Sequence, residues 1–267
     1  MSIEISDQEF ARFQGFILEE AGITLGQAKK ALVCGRLEKR LRHHRLGSYS
    51  DYLHLLASQC DPGEVQLAID LLTTNETYFF REPRHFELLR EQAVAARKEN
   101  RALRVWSAAC STGEEAYSIA MVLADLQADL PWEVLASDIS TKVLQRARYG
   151  HYPDSRAAQM PAGYRQRFCL KGVGEQAGTL LVQRPLRERI EFAQINLDRA
   201  LPALARFDMI FLRNVMIYFS VETKRRVVAR LLPLLKSGGY LLVGHSETLN
   251  DVTDAFTVVR PSVYQRA

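Results

Sequence analysis

Residues 103–123 read Leu-Arg-Val-Trp-Ser-Ala-Ala-Cys-Ser-Thr-Gly-Glu-Glu-Ala-Tyr-Ser-Ile-Ala-Met-Val-Leu. A short apolar strand pattern over 103–109 enters a turn of small residues, Cys110-Ser111-Thr112-Gly113. A helix follows, with Ile119, Val122 and Leu123 at helical spacing. Strand, small-residue turn and helix make the opening unit of a nucleotide-cofactor fold, in which backbone at the turn approaches the ligand. Two acids, Glu114 and Glu115, come directly after the turn. They suit the positive end of a helix dipole but repel a pyrophosphate. A ligand that is cationic and hydroxyl-rich at that end fits better. S-adenosylmethionine, with its ammonium, sulfonium and ribose, is such a ligand, so the turn points to methyl transfer.

From 103 onward strands and helices alternate. Residues 132–137 read as a strand ending at Asp138. Ser140 caps a helix with Val143, Leu144 and Ala147 on one face. Residues 207–212 are a near-continuous apolar run, as buried parallel strands are. A helix over 221–235, a strand over 240–243 opened by Gly238-Gly239, and a hairpin of 256–259 with 263–265 complete the pattern. The expected fold class is α/β, a doubly wound Rossmann-like methyltransferase sheet. One stretch breaks the alternation. Residues 167–171 and 179–184 look like two strands around the glycine-rich loop Gly172-Val173-Gly174-Glu175-Gln176-Ala177-Gly178. They predict a small antiparallel β-subdomain at about 165–188, inserted before a parallel strand at 190–193.

The first 75 residues read as an N-terminal all-helical domain, with 76–267 as the methyltransferase domain. Asp7 is placed to cap a helix carrying Phe10, Phe13 and Ile17 and ending near Gly22. A second helix spans about 27–46 and stops at Gly47. Ser48 and Asp51 open a third, with Tyr52, Leu53 and Leu56. Asp61-Pro62-Gly63-Glu64 gives a fourth its cap and a proline in the first turn, ahead of Val65, Ile69 and Leu72. Helix two carries Lys29, Lys30, Arg36, Lys39, Arg40, Arg42 and Arg45 against Glu38 alone, while the rest of this domain is acidic. Such a cluster is either a solvated face or a docking surface for an acidic partner. It lacks the interleaved aromatics of a nucleic-acid surface, so no nucleic-acid partner is expected.

Composition narrows the class further. With 47% apolar and 25% charged residues and a net charge of +4, the 267-residue chain is that of an ordinary globular protein. Cysteines 34, 60, 110 and 169 show neither metal spacing nor a disulfide pattern, which suggests a reducing compartment. No apolar run is long enough for membrane insertion, and the opening Met1-Ser2-Ile3-Glu4-Ile5-Ser6-Asp7 does not resemble a signal peptide. A cytoplasmic protein with no metal site is expected.

Several residues are candidates for chemistry. Asp138 either accepts both ribose hydroxyls or shares a helix cap with Ser140. Asn75 and Thr77 in the link between domains can meet a ligand edge, and Arg81 offers a forked donor for a carboxylate. The neighbouring aromatics Tyr78, Phe79 and Phe80 can equally pin the domains together. Arg213, Asn214 and Tyr218 lie just past the apolar strand 207–212, at the ligand edge of such a sheet, and Asn196 and Leu197 stand similarly after 190–193. His245-Ser246-Glu247 is read as closing the sheet by local hydrogen bonds. No serine-histidine-acid order and no phosphate-binding P-loop are visible.

Taken together, these blocks resemble one family, the bacterial chemotaxis receptor methyltransferases known as CheR. The resemblance rests on Asn75-Glu76-Thr77-Tyr78-Phe79-Phe80-Arg81, on residues 106–115, on Ser137-Asp138-Ile139-Ser140, on residues 207–219 and on Gly244-His245-Ser246-Glu247, in order along nearly the whole chain. It implies S-adenosylmethionine as cofactor, with S-adenosylhomocysteine as product, and glutamate side chains of chemoreceptor cytoplasmic signalling helices as substrate. Implied cofactor contacts are Asn75, Thr77, Arg81, Glu115, Asp138, Asn196, Leu197, Arg213 and Asn214, with Arg81 and Tyr218 beside the transferring methyl. The basic helix would meet the receptor. The loop bearing Gly172, Gly174 and Gly178 resembles the β-subdomain that docks a receptor C-terminal peptide in some members. A monomer is expected. The rival readings are a methyltransferase of the same fold acting on nucleic acid or a small molecule, and a cofactor-binding regulator without turnover.

Overall fold

The computed structural model describes residues 3–58, 60–126 and 131–267, so Met1 and Ser2 of the opening segment lie outside the described residues. Four helices come first: α1 (Asp7–Ala21), α2 (Lys30–His44), α3 (Tyr49–Ala57) and α4 (Pro62–Leu72). Their apolar faces close one core around Phe10, Phe13, Ile17, Leu37, Leu41, Tyr49 and Tyr52. The cap of α1 is Ser6, not Asp7. Ser6 and Glu9 satisfy each other's backbone N–H in a capping box, and Asp7 occupies the first helical position. The second helix also ends earlier than its glycine suggests. Arg45 takes the left-handed conformation at φ 55° and returns its N–H to Arg42 and Leu41. Ser48 and Asp61 cap α3 and α4 as their spacing predicts.

Helix α5 (Arg84–Lys98) then leads into β1 (Leu103–Ser107), α6 (Glu114–Leu126), β2 (Trp132–Asp138) and α7 (Thr141–Tyr149). The inserted lobe comprises β3 (His151–Pro153), α8 (Tyr164–Phe168), β4 (Cys169–Lys171), β5 (Thr179–Val182) and α9 (Arg184–Arg187). Its sheet is antiparallel in the order β3-β5-β4, so it has three strands and begins at residue 151. The sequence reading of 165–188 missed β3, because three residues containing a proline carry no alternation to detect. It also assigned residues 167–168 and 184 to strands, where the backbone is helical or at a helix start.

The main sheet gains β6 (Ile190–Gln194), β7 (Phe207–Leu212), then α10 (Val221–Leu231), β8 (Leu235–Val243), β9 (Phe256–Arg260) and β10 (Val263–Arg266). Its order is β6-β2-β1-β7-β8-β10-β9, parallel from β6 through β8 and antiparallel at the β10 and β9 edge. Strand residues alternate between two cores. Val105, Met209 and Phe211 pack with α5 and α6 on one face, and Trp106, Ile210 and Leu212 pack with α10 on the other. The chain runs outward from β1 in both directions, so the order reverses between β1 and β7. In open α/β sheets ligands bind outside the carboxyl ends of the strands at such a reversal. No helix among the described residues is long and apolar enough to cross a membrane. The four cysteines are free thiols.

Candidate active site

The turn after β1 is held from below by a carboxylate. Asp138, at the end of β2, accepts the Ser111 N–H on Oδ2 at 2.9 Å and the Ser140 N–H on Oδ1 at 3.0 Å. Gly113 has φ 98°, and a Cβ there would meet that of Ala147 at 2.8 Å, so the turn admits only glycine at this point. Asp138 serves more than the turn. The residue supports the α7 start, where Ser140 is the cap, and it also faces the cavity described below. Burial raises the carboxyl pKa of Asp138 against the pull of the Ser140 and Ser111 N–H groups.

Glu115 is the second residue of α6. Its Oε1 accepts the Ser107 hydroxyl at 2.7 Å, and its Oε2 accepts Arg213 Nη1 at 2.8 Å. Burial raises its pKa too, opposed by the Arg213 charge. Arg213, just past β7, is itself only 5% exposed. Its other terminal nitrogen donates to the Arg81 carbonyl at 2.5 Å and lies 3.0 Å from Glu82 Oε2. One guanidinium thus ties the α6 start, the interdomain link and the β7 edge together.

Asn214 takes φ 55°, a left-handed conformation that turns the chain across the sheet edge. Glu247 holds that turn. Its Oε2 accepts the N–H groups of Asn214 (2.8 Å) and Gly244 (2.6 Å), and its Oε1 accepts that of Ile217 (3.1 Å). The expected local closure by 245–247 is therefore also the mould of the 213–218 loop, a role that residue spacing does not reveal. Tyr218 ends the loop, and its carbonyl accepts the Thr24 N–H at 2.7 Å.

The helical domain closes the other side. Ile23 bridges Phe219 in antiparallel fashion, and Asn196 Nδ2 donates to the Glu20 carbonyl at 2.7 Å. Asp70 of α4 accepts the Thr141 N–H at 3.0 Å and its hydroxyl at 2.9 Å, a second acidic cap on α7 supplied by the other domain. Between the two domains lies a cavity of about 390 Å³, within the range of small-molecule sites. Asn75, Thr77, Arg81, Glu115, Asp138, Asn196, Leu197, Arg213, Asn214 and Tyr218 all line it. Segments that stand far apart in the chain are thus brought to one surface. Residues 21–29 contribute as well, including Thr24, Leu25 and Lys29, which sequence reasoning did not assign to the ligand edge.

The candidate receptor-binding residues divide. Lys29, Lys39, Arg42 and Arg45 are exposed, with Arg42 paired to Glu38. Lys30 pairs with Asp7. Arg36 and Arg40 turn inward and leave the basic face. Arg36 donates to the carbonyls of Leu71 and Thr73, closing the end of α4, and Arg40 grips the buried Glu64. In the lobe, Gly174 and Gly178 have positive φ, and a Cβ on Gly172 would meet the Gln176 carbonyl oxygen at 1.9 Å, so the loop's own geometry demands these glycines.

Two family descriptions match the chain: "CheR methyltransferase, all-alpha domain" over residues 8–73, and "CheR methyltransferase, SAM binding domain" over 75–264. The chain belongs to the CheR methyltransferase family. It is 42% identical over 265 residues to the chemotaxis protein methyltransferase of Escherichia coli, spanning 98% of this chain and 92% of that one. It is 44% identical to chemotaxis protein methyltransferase 2 of Pseudomonas aeruginosa, over 97% and 93% respectively. Among solved structures, the N-methyltransferase NodS of Bradyrhizobium japonicum with S-adenosyl-L-homocysteine aligns over 74% of this chain and 94% of its own, at 14% identity and a TM-score of 0.42. The protein is an S-adenosylmethionine-dependent methyltransferase with the α/β fold expected of it.

Proposed function

We propose that this CheR methyltransferase esterifies glutamate side chains on the cytoplasmic signalling helices of chemoreceptors. The observation that carries this reading is the cavity between the helical domain and the sheet edge, lined by every residue that the family resemblance assigns to the cofactor and the transferring methyl. Its donor set suits the cofactor. Two carboxylates with burial-raised pKa values, Asp138 and Glu115, favour a ligand bearing hydroxyls and positive charge. Each Asp138 oxygen accepts one backbone N–H and retains a lone pair for a ribose hydroxyl.

When bound, S-adenosylmethionine supplies an electrophilic methyl on a sulfonium. The receptor glutamate, with an ordinary pKa of about 4.3, is already ionised at neutral pH, so the chain need supply no general base. What it supplies is orientation and exclusion of water. Asp138 and Glu115 hold the ribose and amino ends, and Asn75, Thr77, Asn196, Leu197, Arg213 and Asn214 complete the cradle. Arg81 offers its guanidinium to a carboxylate, and Tyr218 its hydroxyl beside the reacting atoms.

Residues 1–75 serve as the receptor-recognition domain. Lys29, Lys39, Arg42 and Arg45 form the face that steers an acidic receptor. In the lobe, β4 is an edge strand bearing exposed Leu170, with Val173 exposed just beyond it. This supports addition of a receptor C-terminal peptide as a further strand. The decisive assay incubates the protein with radiolabelled S-adenosylmethionine and receptor cytoplasmic fragments. A glutamyl methyl ester releases labelled methanol in mild base. Label that survives base marks an N-methyl product and overturns the reading.

A further inference from the structure

Outside the cavity, on the far side of Arg213, three side chains distant in sequence converge. Glu82 belongs to the interdomain link, His85 to the first turn of α5, and His245 to the loop after β8. Glu82 Oε2 lies 3.5 Å from His85 Nδ1 and 3.8 Å from His245 Nε2, and all three ligand atoms fall within 4.8 Å of one another. We propose that Glu82, His85 and His245 form a binding site for a divalent transition-metal ion of the zinc type.

The hydrogen bonding around His85 carries the argument. The ring is 1% exposed, and its Nε2 stands 2.9 Å from Ser262 Oγ, in the turn of the β9–β10 hairpin. That hydroxyl donates its own hydrogen to the Pro261 carbonyl at 2.6 Å, so it accepts from His85 Nε2–H. With its hydrogen on Nε2, the ring presents Nδ1 as a bare lone pair. This lone pair has no hydrogen-bond partner and faces Glu82 Oε2, whose other neighbour is the Arg213 guanidinium at 3.0 Å. Arg213 compensates the carboxylate but not the buried Nδ1 lone pair, which a cation shared with Glu82 would satisfy.

The arrangement has the parts of a metal centre. The Ser262 hydroxyl behind the ring fixes the histidine tautomer, as metal sites commonly require. Metal bonds near 2.0–2.1 Å set tetrahedral ligand atoms roughly 3.3 Å apart, so small side-chain shifts close the site. His245 is half exposed, which leaves a route for the ion and an open position for water. Arg213 beside Glu82 does not cancel the attraction, because Glu82 and Glu115 together outweigh its single charge. Imidazole and carboxylate ligands favour zinc-type ions over magnesium or calcium.

The test is direct titration of chelator-treated full-length protein with Co²⁺, followed by visible absorption, with Zn²⁺ in a competition arm. One ion per chain with a d–d spectrum is expected, displaced by Zn²⁺. His245→Ala, at an exposed position, should weaken binding at least tenfold, and Ser262→Ala about 10–100-fold through the tautomer of His85. No binding, or binding equally strong in His245→Ala, as from the adjacent His43 and His44, overturns the proposal. The measurement needs neither cofactor nor receptor, so it stands apart from the test of the methyl-transfer reading.

Discussion

At Arg213 one buried guanidinium answers two carboxylates, Glu82 and Glu115, so its removal leaves both without their cation. Breaking a buried pair in this way costs roughly 3–5 kcal/mol. Arg213→Met should lower thermal stability by that order, read by calorimetry, and S-adenosylhomocysteine should bind more weakly; a variant as stable as the parent refutes the clamp. Glu247 acts at one remove, through three backbone N–H groups of the site loop and its neighbour. Hydrogen bonds to a charged acceptor contribute roughly 1.5–3 kcal/mol each. Glu247→Gln should therefore cut kcat at least tenfold while circular dichroism stays native. An unchanged kcat removes the residue from positioning. Arg81→Ala and Tyr218→Phe should each depress turnover at saturating cofactor without unfolding, because both face the cavity and neither supports the core. Arg81 at full rate with saturating cofactor has no part in the transfer.

Among elements, α2 shows how a charge run can mislead. Its sequence reads as a continuous basic face, yet the helix turns Arg36 and Arg40 back into the domain. There Arg40, Tyr52 and His44 surround the carboxylate of Glu64, which is 2% exposed. Burial alone raises the Glu64 pKa, but these partners outweigh it and bring it down to about 2. A folded pKa below the unfolded one, about 4.3 for Glu, contributes stability above pH 4.3. That stability is lost as the pH falls toward 2. Urea titrations should show the helical domain weakening on the order of a few kcal/mol across that window, with the loss absent in Glu64→Gln. A variant that retains the full acid dependence assigns it to other carboxylates.

At the scale of the molecule, the basic surface left after those corrections is smaller and lies on the domain that also roofs the cavity. Exposed charges contribute roughly 0–1 kcal/mol each to a complex but raise encounter rates collectively. Receptor methylation at low receptor concentration should slow as salt rises from 50 to about 500 mM, with little change in kcat; a salt-independent rate argues against steering. Local patterning determined much of this protein by itself. The turn at 110–113, the caps at Ser48, Asp61 and Ser140 and the apolar runs of β2 and β7 are legible because each depends on neighbours within a few residues. The short lobe strand β3, the unread helix α5, the inward turn of Arg36 and the hold of Glu247 on the site loop were decided only by the tertiary structure. So was the meeting of Glu82, His85 and His245. Periodicity reports which face a segment buries, whereas a side chain's partner across 100 residues depends on how the sheet's loops and the helical domain are brought together.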